Sequence, residues 1–227
     1  MKPASSTPTA LVIIDVQQAF KHKTHWGASR STINFETNVA SLLQAARSYN
    51  TKVQSSQAAD QRRHPILIVH VHHHSLITTS PLHPSYILSS STGTGTTRGV
   101  EPTEYAAPAP GELVLTKCVN SAFVGTDLEA RLRAFGARQL IAVGLTSDHC
   151  VNTTVRMAAN LQVLGDDGGS DGTGEGNNGV VIVRDATATF AKPGFEAEVV
   201  HAVHLASLEG EFAAVKTAGE VIGEVMR

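Results

Sequence analysis

Ala10-Leu11-Val12-Ile13-Ile14-Asp15-Val16-Gln17 is almost unbroken in apolar, β-branched character until a carboxylate interrupts it. A strand with one solvated face alternates polar and apolar residues, whereas a continuous run needs cover on both faces, as in a parallel sheet between helix layers. Runs of this kind occur at residues 11–16, 66–71, 112–116, 139–143 and 180–183. Between them lie helix candidates at residues 36–48, 126–135, 150–161 and 197–208, the second closed by Gly136 as a C-terminal stop. The alternation predicts an α/β fold with a doubly wound, mainly parallel sheet and helices on both faces, a Rossmann-like three-layer arrangement. Residues 212–225 supply a last strand or helix, and periodicity does not decide between them.

The 227 residues fit one large α/β domain spanning 1–227. Hydrophobic residues at 41% can fill a buried sheet, and charged residues at 17% leave a thin polar shell. A formal charge of -2 offers no positive field to gather phosphates, so nucleic acid is a poor partner and a small molecule the better one. Cys118 and Cys150 are the only cysteines, far below the density of stapled secreted domains, which points to a reducing, cytoplasmic setting. Residues 1–9 read as a loose leader, and the apolar run after them is too short for a signal-peptide core or a membrane span.

Two stretches break the rhythm. Residues 72–111, rich in His, Ser, Thr, Pro and Gly, are too long for an ordinary connection and read as a loop bordering an active site. Residues 165–179 contain almost nothing to bury and read as a glycine-rich surface insertion. The rival reading of that insertion, an acidic calcium loop, lacks EF-hand spacing.

Three polar side chains fall at or just beyond the carboxyl ends of predicted strands, where open α/β sheets place their ligands. They are Asp15, Lys117 in Leu-Val-Leu-Thr-Lys, and Cys150 shortly after Ile-Ala-Val-Gly. Singly, each has a structural reading: a turn cap, a solvent-facing cation, a small hydrophobe. Together they make a working set. A helix beginning at Cys150 favours the thiolate through its unpaired N–H groups, a neighbouring Lys117 ammonium favours it further, and Asp15 can carry the proton. Backbone N–H groups over residues 146–150 can meet the oxyanion that forms when sulfur attacks a carbonyl. Cys118 is expected to be buried and inert.

Gly144-Leu145-Thr146-Ser147-Asp148-His149-Cys150-Val151 resembles the isochorismatase-like cysteine hydrolases, the superfamily of nicotinamidases and N-carbamoylsarcosine amidases. The resemblance takes in the Asp15 and Lys117 segments, Ser121-Ala122-Phe123-Val124-Gly125-Thr126-Asp127-Leu128, Asp185-Ala186-Thr187-Ala188-Thr189-Phe190 and Val203-His204-Leu205-Ala206-Ser207-Leu208. It implies Asp15, Lys117 and Cys150 as catalytic residues. It also implies a non-proline cis peptide between Leu145 and Thr146, with the Thr146 and Cys150 amides as the oxyanion hole, and a homo-oligomer, dimer or tetramer.

Isochorismatases proper lack the cysteine, so Cys150 directs the expectation to a small amide, ureide or related C–N bond cleaved through a Cys acyl-enzyme without cofactor. Nicotinamidases bind a metal through an Asp-x-His segment and a further His, whereas here residues 66–71 run into His72-His73-His74-Ser75 with no Asp. On an extended segment His72 and His74 can share a metal while His73 points elsewhere, but no third ligand accompanies them. The expectation is therefore no metal, with His73, Ser75, Phe123 and His149 as substrate contacts. A metal-assisted nicotinamidase and a catalytically silent ligand-binding member are the alternatives.

Overall fold

Six strands lie in one parallel sheet in this computed structural model, which describes residues 1–22, 24–56, 64–88, 96–165 and 179–227. In chain order the strands are β1 (Thr9–Ile14), β2 (Leu67–His73), the short β3 (Ile87–Leu88) and β4 (Thr97–Arg98), β5 (Leu113–Lys117), β6 (Gln139–Leu145), β7 (Val180–Ala188) and β8 (Ala214–Lys216). The helices are α1 (Phe35–Ser56), α2 (Leu128–Phe135), α3 (Cys150–Asn160), α4 (Ala197–Ala206) and α5 (Ala218–Val225). The main sheet runs β5-β2-β1-β6-β7-β8, and β3 and β4 form a separate antiparallel pair. This is the doubly wound α/β arrangement that the runs of apolar residues predict.

Both faces of β1 are buried, and its alternation sorts the two halves of the core. Leu11 and Ile13 pack with Phe35, Val39 and Leu42 of α1 and Val221 and Val225 of α5. Ala10, Val12 and Ile14 pack with Leu128 and Leu132 of α2 and Val151 and Val155 of α3. No described helix is long and apolar enough to cross a membrane.

Several boundaries differ from the sequence reading for local reasons. β1 stops at Ile14 because Asp15 turns into the left-handed region at φ 54, and α2 begins at Leu128 rather than Thr126, whose hydroxyl accepts from the Leu128 N–H. Gly136 closes α2 at φ 71, as expected of a C-terminal stop. The tail holds both a strand and a helix: β8, then α5 opened by a Thr217/Glu220 capping box. Residues 1–8 are not loose. The Ala4 N–H donates to Val225 O at 2.9 Å and the Lys2 N–H to Gln139 Oε1 at 3.0 Å, covering the end of α5 and the start of β6. Of the glycine-rich stretch, residues 166–178 lie outside the described residues; Gly165 and Gly179 both abut Arg138, at the amino-terminal edge of the sheet.

One partly buried polar junction ties α1 to the sheet. Arg47 grips Glu112 through two hydrogen bonds of 2.7 and 2.8 Å, and His70 Nε2 on β2 meets the same carboxylate at 2.8 Å. Burial alone would raise the Glu112 carboxyl, but Arg47, the Ala109 N–H and His70 together bring it down to about 2 from the ordinary 4.5. A carboxylate depressed on folding adds stability above its unfolded pKa and loses it as pH falls through the folded one. Glu112→Gln should therefore cost on the order of 1–3 kcal/mol at pH 7, and the gap to wild type should close as pH falls from 4.5 towards 2. Thermal melting of both proteins across that range checks it; a gap that stays constant would remove the charge from the account.

Candidate active site

The chain builds outward from β1 to β2 and β5 on one side, then crosses back to β6 on the other, so the connections leave β1 and β6 for opposite faces. A crevice opens at the carboxyl ends of such a pair of strands. Asp15 follows β1, held by its N–H to Val71 O at 2.8 Å, while Lys117 ends β5 and His73 ends β2. Cys150 opens α3, five residues beyond the end of β6. All four meet at this edge.

Lys117 and Asp15 form an ion pair of 2.7 Å with both side chains buried. Lys117 Nζ also donates to His73 Nδ1 at 3.1 Å. Burial, then the Lys117 charge, then His74 lower His73 to about 4, so at neutral pH its ring is uncharged, accepts at Nδ1 and carries its proton on Nε2. A carboxylate oxygen of Asp15, a ring nitrogen of His73 and Sγ of Cys150 lie within 4.8 Å of one another. Oδ1 of Asp15 has no hydrogen-bond partner within the distances and angles of an ordinary bond, and Cys150 Sγ lies 3.8 Å from Asn120 Oδ1.

The charge state of the thiol departs from the sequence expectation. Burial, and after it the negative charge of Asp15, push Cys150 up, and Lys117 offsets only part of this. Burial and the Asp15 charge thus both favour the protonated thiol. Burial likewise raises Asp15, against the pull of Lys117, which makes the carboxylate a stronger proton acceptor than an exposed one.

Near its end β6 passes close against β1. Gly144 sits at φ 120, and a Cβ there would lie 2.0 Å from Ile14 O. The Leu145–Thr146 peptide is cis, as the resemblance implies. Val151 N–H and His149 N–H both donate to Thr146 O, while the N–H groups of Thr146 and Cys150 make no backbone hydrogen bond. Asp148 anchors the loop: burial would raise it, but Thr189, Lys192 and Thr146 hydrogen-bond it down to about 2. On its other side Ser147 donates to Nδ1 of His201 at 2.8 Å, whose Nε2 faces Arg184 O at 2.9 Å.

A cavity of about 350 Å³ opens onto Cys150, with His73, Asn120, Thr146, His149 and Lys192 among its lining and Phe20, Trp26 and Phe190 as an aromatic wall. His73 and His149, expected from the sequence as substrate contacts, line this cavity. Ser75 and Phe123 do not line it. The Ser75 hydroxyl accepts from the Ile77 N–H, and Phe123 packs against the core under α2. Cys118 is exposed rather than buried, because β5 is the edge strand and successive side chains along it point to opposite faces. Gln17 carried no signal in the sequence beyond its place two residues after Asp15. Its buried amide accepts from the His73 N–H at 2.8 Å and donates to His73 O at 3.0 Å, fixing the end of β2.

Asp15, His73 and Cys150 have metal-ligand chemistry, but the Lys117 ammonium already binds Asp15 and His73 Nδ1, so a cation among them would face a buried positive charge. The donor set does not fit a metal. The alternation of β2 places His72 beside His70, with ring centroids 6.5 Å apart. Among the described residues neither His72 nor His74 enters a cluster of three donors.

The family model described as the isochorismatase domain matches residues 9–220. The chain belongs to the isochorismatase family. The isochorismatase family protein YrdC of Bacillus subtilis is 30% identical over 223 residues, 96% of each chain. A solved isochorismatase-family structure from Chromobacterium violaceum is 30% identical, with TM-score 0.74 over 99% of this chain and 96% of its own. A cysteine hydrolase of Pseudomonas syringae pv. phaseolicola, 23% identical, shares the fold at TM-score 0.68 over 95% of this chain and 91% of its own.

The two thiols of this family member should separate on alkylation. In the native protein iodoacetamide should label exposed Cys118 first and Cys150 slowly near neutral pH, because burial and Asp15 hold the latter as thiol. In a Cys118→Ser background Lys117→Met should slow Cys150 further and move its labelling to higher pH. It should also cost about 3–5 kcal/mol by stranding the Asp15 carboxylate. Peptide mapping and denaturant titration read both, and an unchanged labelling profile would remove Lys117 from the electrostatics of the thiol.

Proposed function

We propose that this isochorismatase-family hydrolase cleaves a small amide or ureide C–N bond through a covalent intermediate on Cys150, without a cofactor. The observation that carries the reading is a thiol facing a buried Lys117–Asp15 pair, beside two free N–H groups and a small cavity. A further relative, the ureidoacrylate amidohydrolase RutB of Agrobacterium fabrum, is 36% identical over 58 residues, 26% of this chain and 25% of its own. Its name supports chemistry at a ureide or amide. Two free cysteines fit a reducing, cytoplasmic setting.

As Sγ bonds to the substrate carbonyl carbon, its proton passes to Asp15. The oxyanion is met by the N–H groups of Thr146 and Cys150. Asp15 returns the proton to the leaving nitrogen as the C–N bond breaks, which leaves a thioester, or a thiocarbamate from a ureide. Water then attacks the same carbon and gives its proton to Asp15; the C–S bond breaks and the proton returns to sulfur. Lys117 holds Asp15 in place, and neutral His73 offers an Nε2 donor to the bound substrate.

A screen of small amides and ureides for ammonia release, with intact-protein mass spectrometry, tests this. Cys150→Ala should abolish both turnover and the covalent adduct while melting as wild type does. Asp15→Asn keeps the shape but removes the base, and should lower kcat by about 10² to 10⁴. A wild-type protein that forms no adduct with any amide, ureide or electrophilic mimic would favour a silent binding member instead, and a loss of only a few fold in Asp15→Asn would assign the proton to another group.

A further inference from the structure

The outward side of α4 is apolar, and among the described residues nothing covers it. Val199, Ala202, Val203 and Ala206 recur at i, i+3, i+4 and i+7, opposite the buried Ala197, His201 and Leu205. Val199 is 49% exposed, Val203 61%, and Phe195, just ahead of the helix, 62%. A helix side turned to water ordinarily carries charged and polar residues at that spacing. A contiguous apolar stripe in their place marks a contact surface, whereas single exposed apolar residues do not.

Beside the start of this helix stands Ile33, 90% exposed. It follows Thr32, whose φ is 63. A β-branched residue occupies that left-handed region only where its surroundings impose it. Here three hydrogen bonds do so: the Thr32 N–H donates to Glu198 Oε1 of α4 at 2.8 Å, the Thr32 hydroxyl to Thr187 O at 2.9 Å, and the Ser31 N–H to Thr189 O at 2.9 Å. A strained turn is thus fastened to α4 and to the end of β7, and its result is an isoleucine in water next to an apolar helix side.

We propose that this face binds a second copy of the chain, with the two α4 helices packed antiparallel about a two-fold axis. The stripe is complementary to itself. With the axis between residues 202 and 203, Val199 meets Ala206 and Val203 meets Ala202 of the second copy, so a large side chain lies over a small one at each level. Antiparallel helices also set opposite dipole ends side by side. Glu198, at the edge of the stripe, is engaged by Thr32, and a net charge of -2 per chain brings little repulsion between copies. At about 150–200 Å² for a large apolar side chain, the exposed parts of Ile33, Phe195, Val199 and Val203 amount to on the order of 450 Å² per copy. Two such faces, with the alanines and a rim, reach the roughly 1,000 Å² that a specific interface needs. The pairing is independent of the chemistry at Cys150.

Sedimentation equilibrium of the full chain tests it. The wild type should have twice the chain mass at about 10 μM. Val203→Glu and Val203→Lys each bury two like charges at the axis and should raise the dimer dissociation constant at least about 100-fold, leaving monomers that melt as folded proteins. An equal mixture of the two variants should associate again, because opposite charges then meet beside the axis. A wild type that remains monomeric at about 100 μM overturns the proposal and leaves the face to another partner. A folded Val203→Glu protein that keeps the wild-type mass places the contact elsewhere and overturns it too, and a mixture that stays monomeric overturns the antiparallel pairing.

Discussion

A lysine and an aspartate removed from water dictate how the rest of this sheet edge is arranged. Each ion loses several kcal/mol of hydration on burial, which their attraction recovers only with close geometry and further hydrogen bonds. Lys117 and Asp15 meet at 2.7 Å across two strand spacings, about 10 Å of sheet, with β2 between them. Only a long side chain reaches that far, and only if the three strands end in register. They do: Ile14 pairs with Val71, and His73 with Lys117. His73 thereby falls under the lysine as its second acceptor, and Gln17 fixes the His73 backbone from both sides. A purely apolar cluster would stabilise a sheet edge at least as well, which supports the proton-transfer role proposed for the pair.

The fourth member of the site comes from the other side of the switch in strand order. Sulfur can approach the carboxylate only if β6 and β1 run close at their ends, which is why residue 144 has no side chain: Ile14 O occupies the space a Cβ would need. Beyond it, Asp148 and Ser147 pin the loop to the residue that follows β7 and to α4 respectively, through Thr189 and His201. The two unpaired N–H groups are thus held by contacts on both flanks rather than by the helix alone.

The apolar runs showed the sheet in the sequence because a strand buried on two faces has almost no freedom of composition. Asp15, Lys117 and Cys150 could be found for a related reason: a charge or thiol at the end of such a run stands out against it. What depended on tertiary distance was not legible. The start of α3 at Cys150 suggested a thiolate, but the depth of burial and the approach of Asp15, from more than a hundred residues away in sequence, reverse the balance. Cys118 follows an apolar strand and so looked buried, yet nothing in the run itself says that β5 is an edge. Lys192 lies in an ordinary Lys-Pro-Gly turn and Trp26 in a polar loop, where single residues carry no periodic signal. The leader looked loose because its composition is polar, whereas its order comes from backbone hydrogen bonds that composition does not record.

A resting thiol is also the state in which the charges of the site balance. With the proton on sulfur, buried Lys117 and Asp15 neutralise each other, and the thiol adds no charge to a region of low dielectric. Moving that proton to Asp15 leaves the sum unchanged, since the carboxylate loses its charge as sulfur gains one, still beside the same ammonium. A thiolate present from the start, next to an ionised Asp15, would instead bury two anions against one cation. In the proposed reaction, moving the proton from sulfur to Asp15 would then require only a redistribution of charge around Lys117. Neutral His73 fits the same logic, because a second buried cation beside Lys117 would oppose its pairing with Asp15.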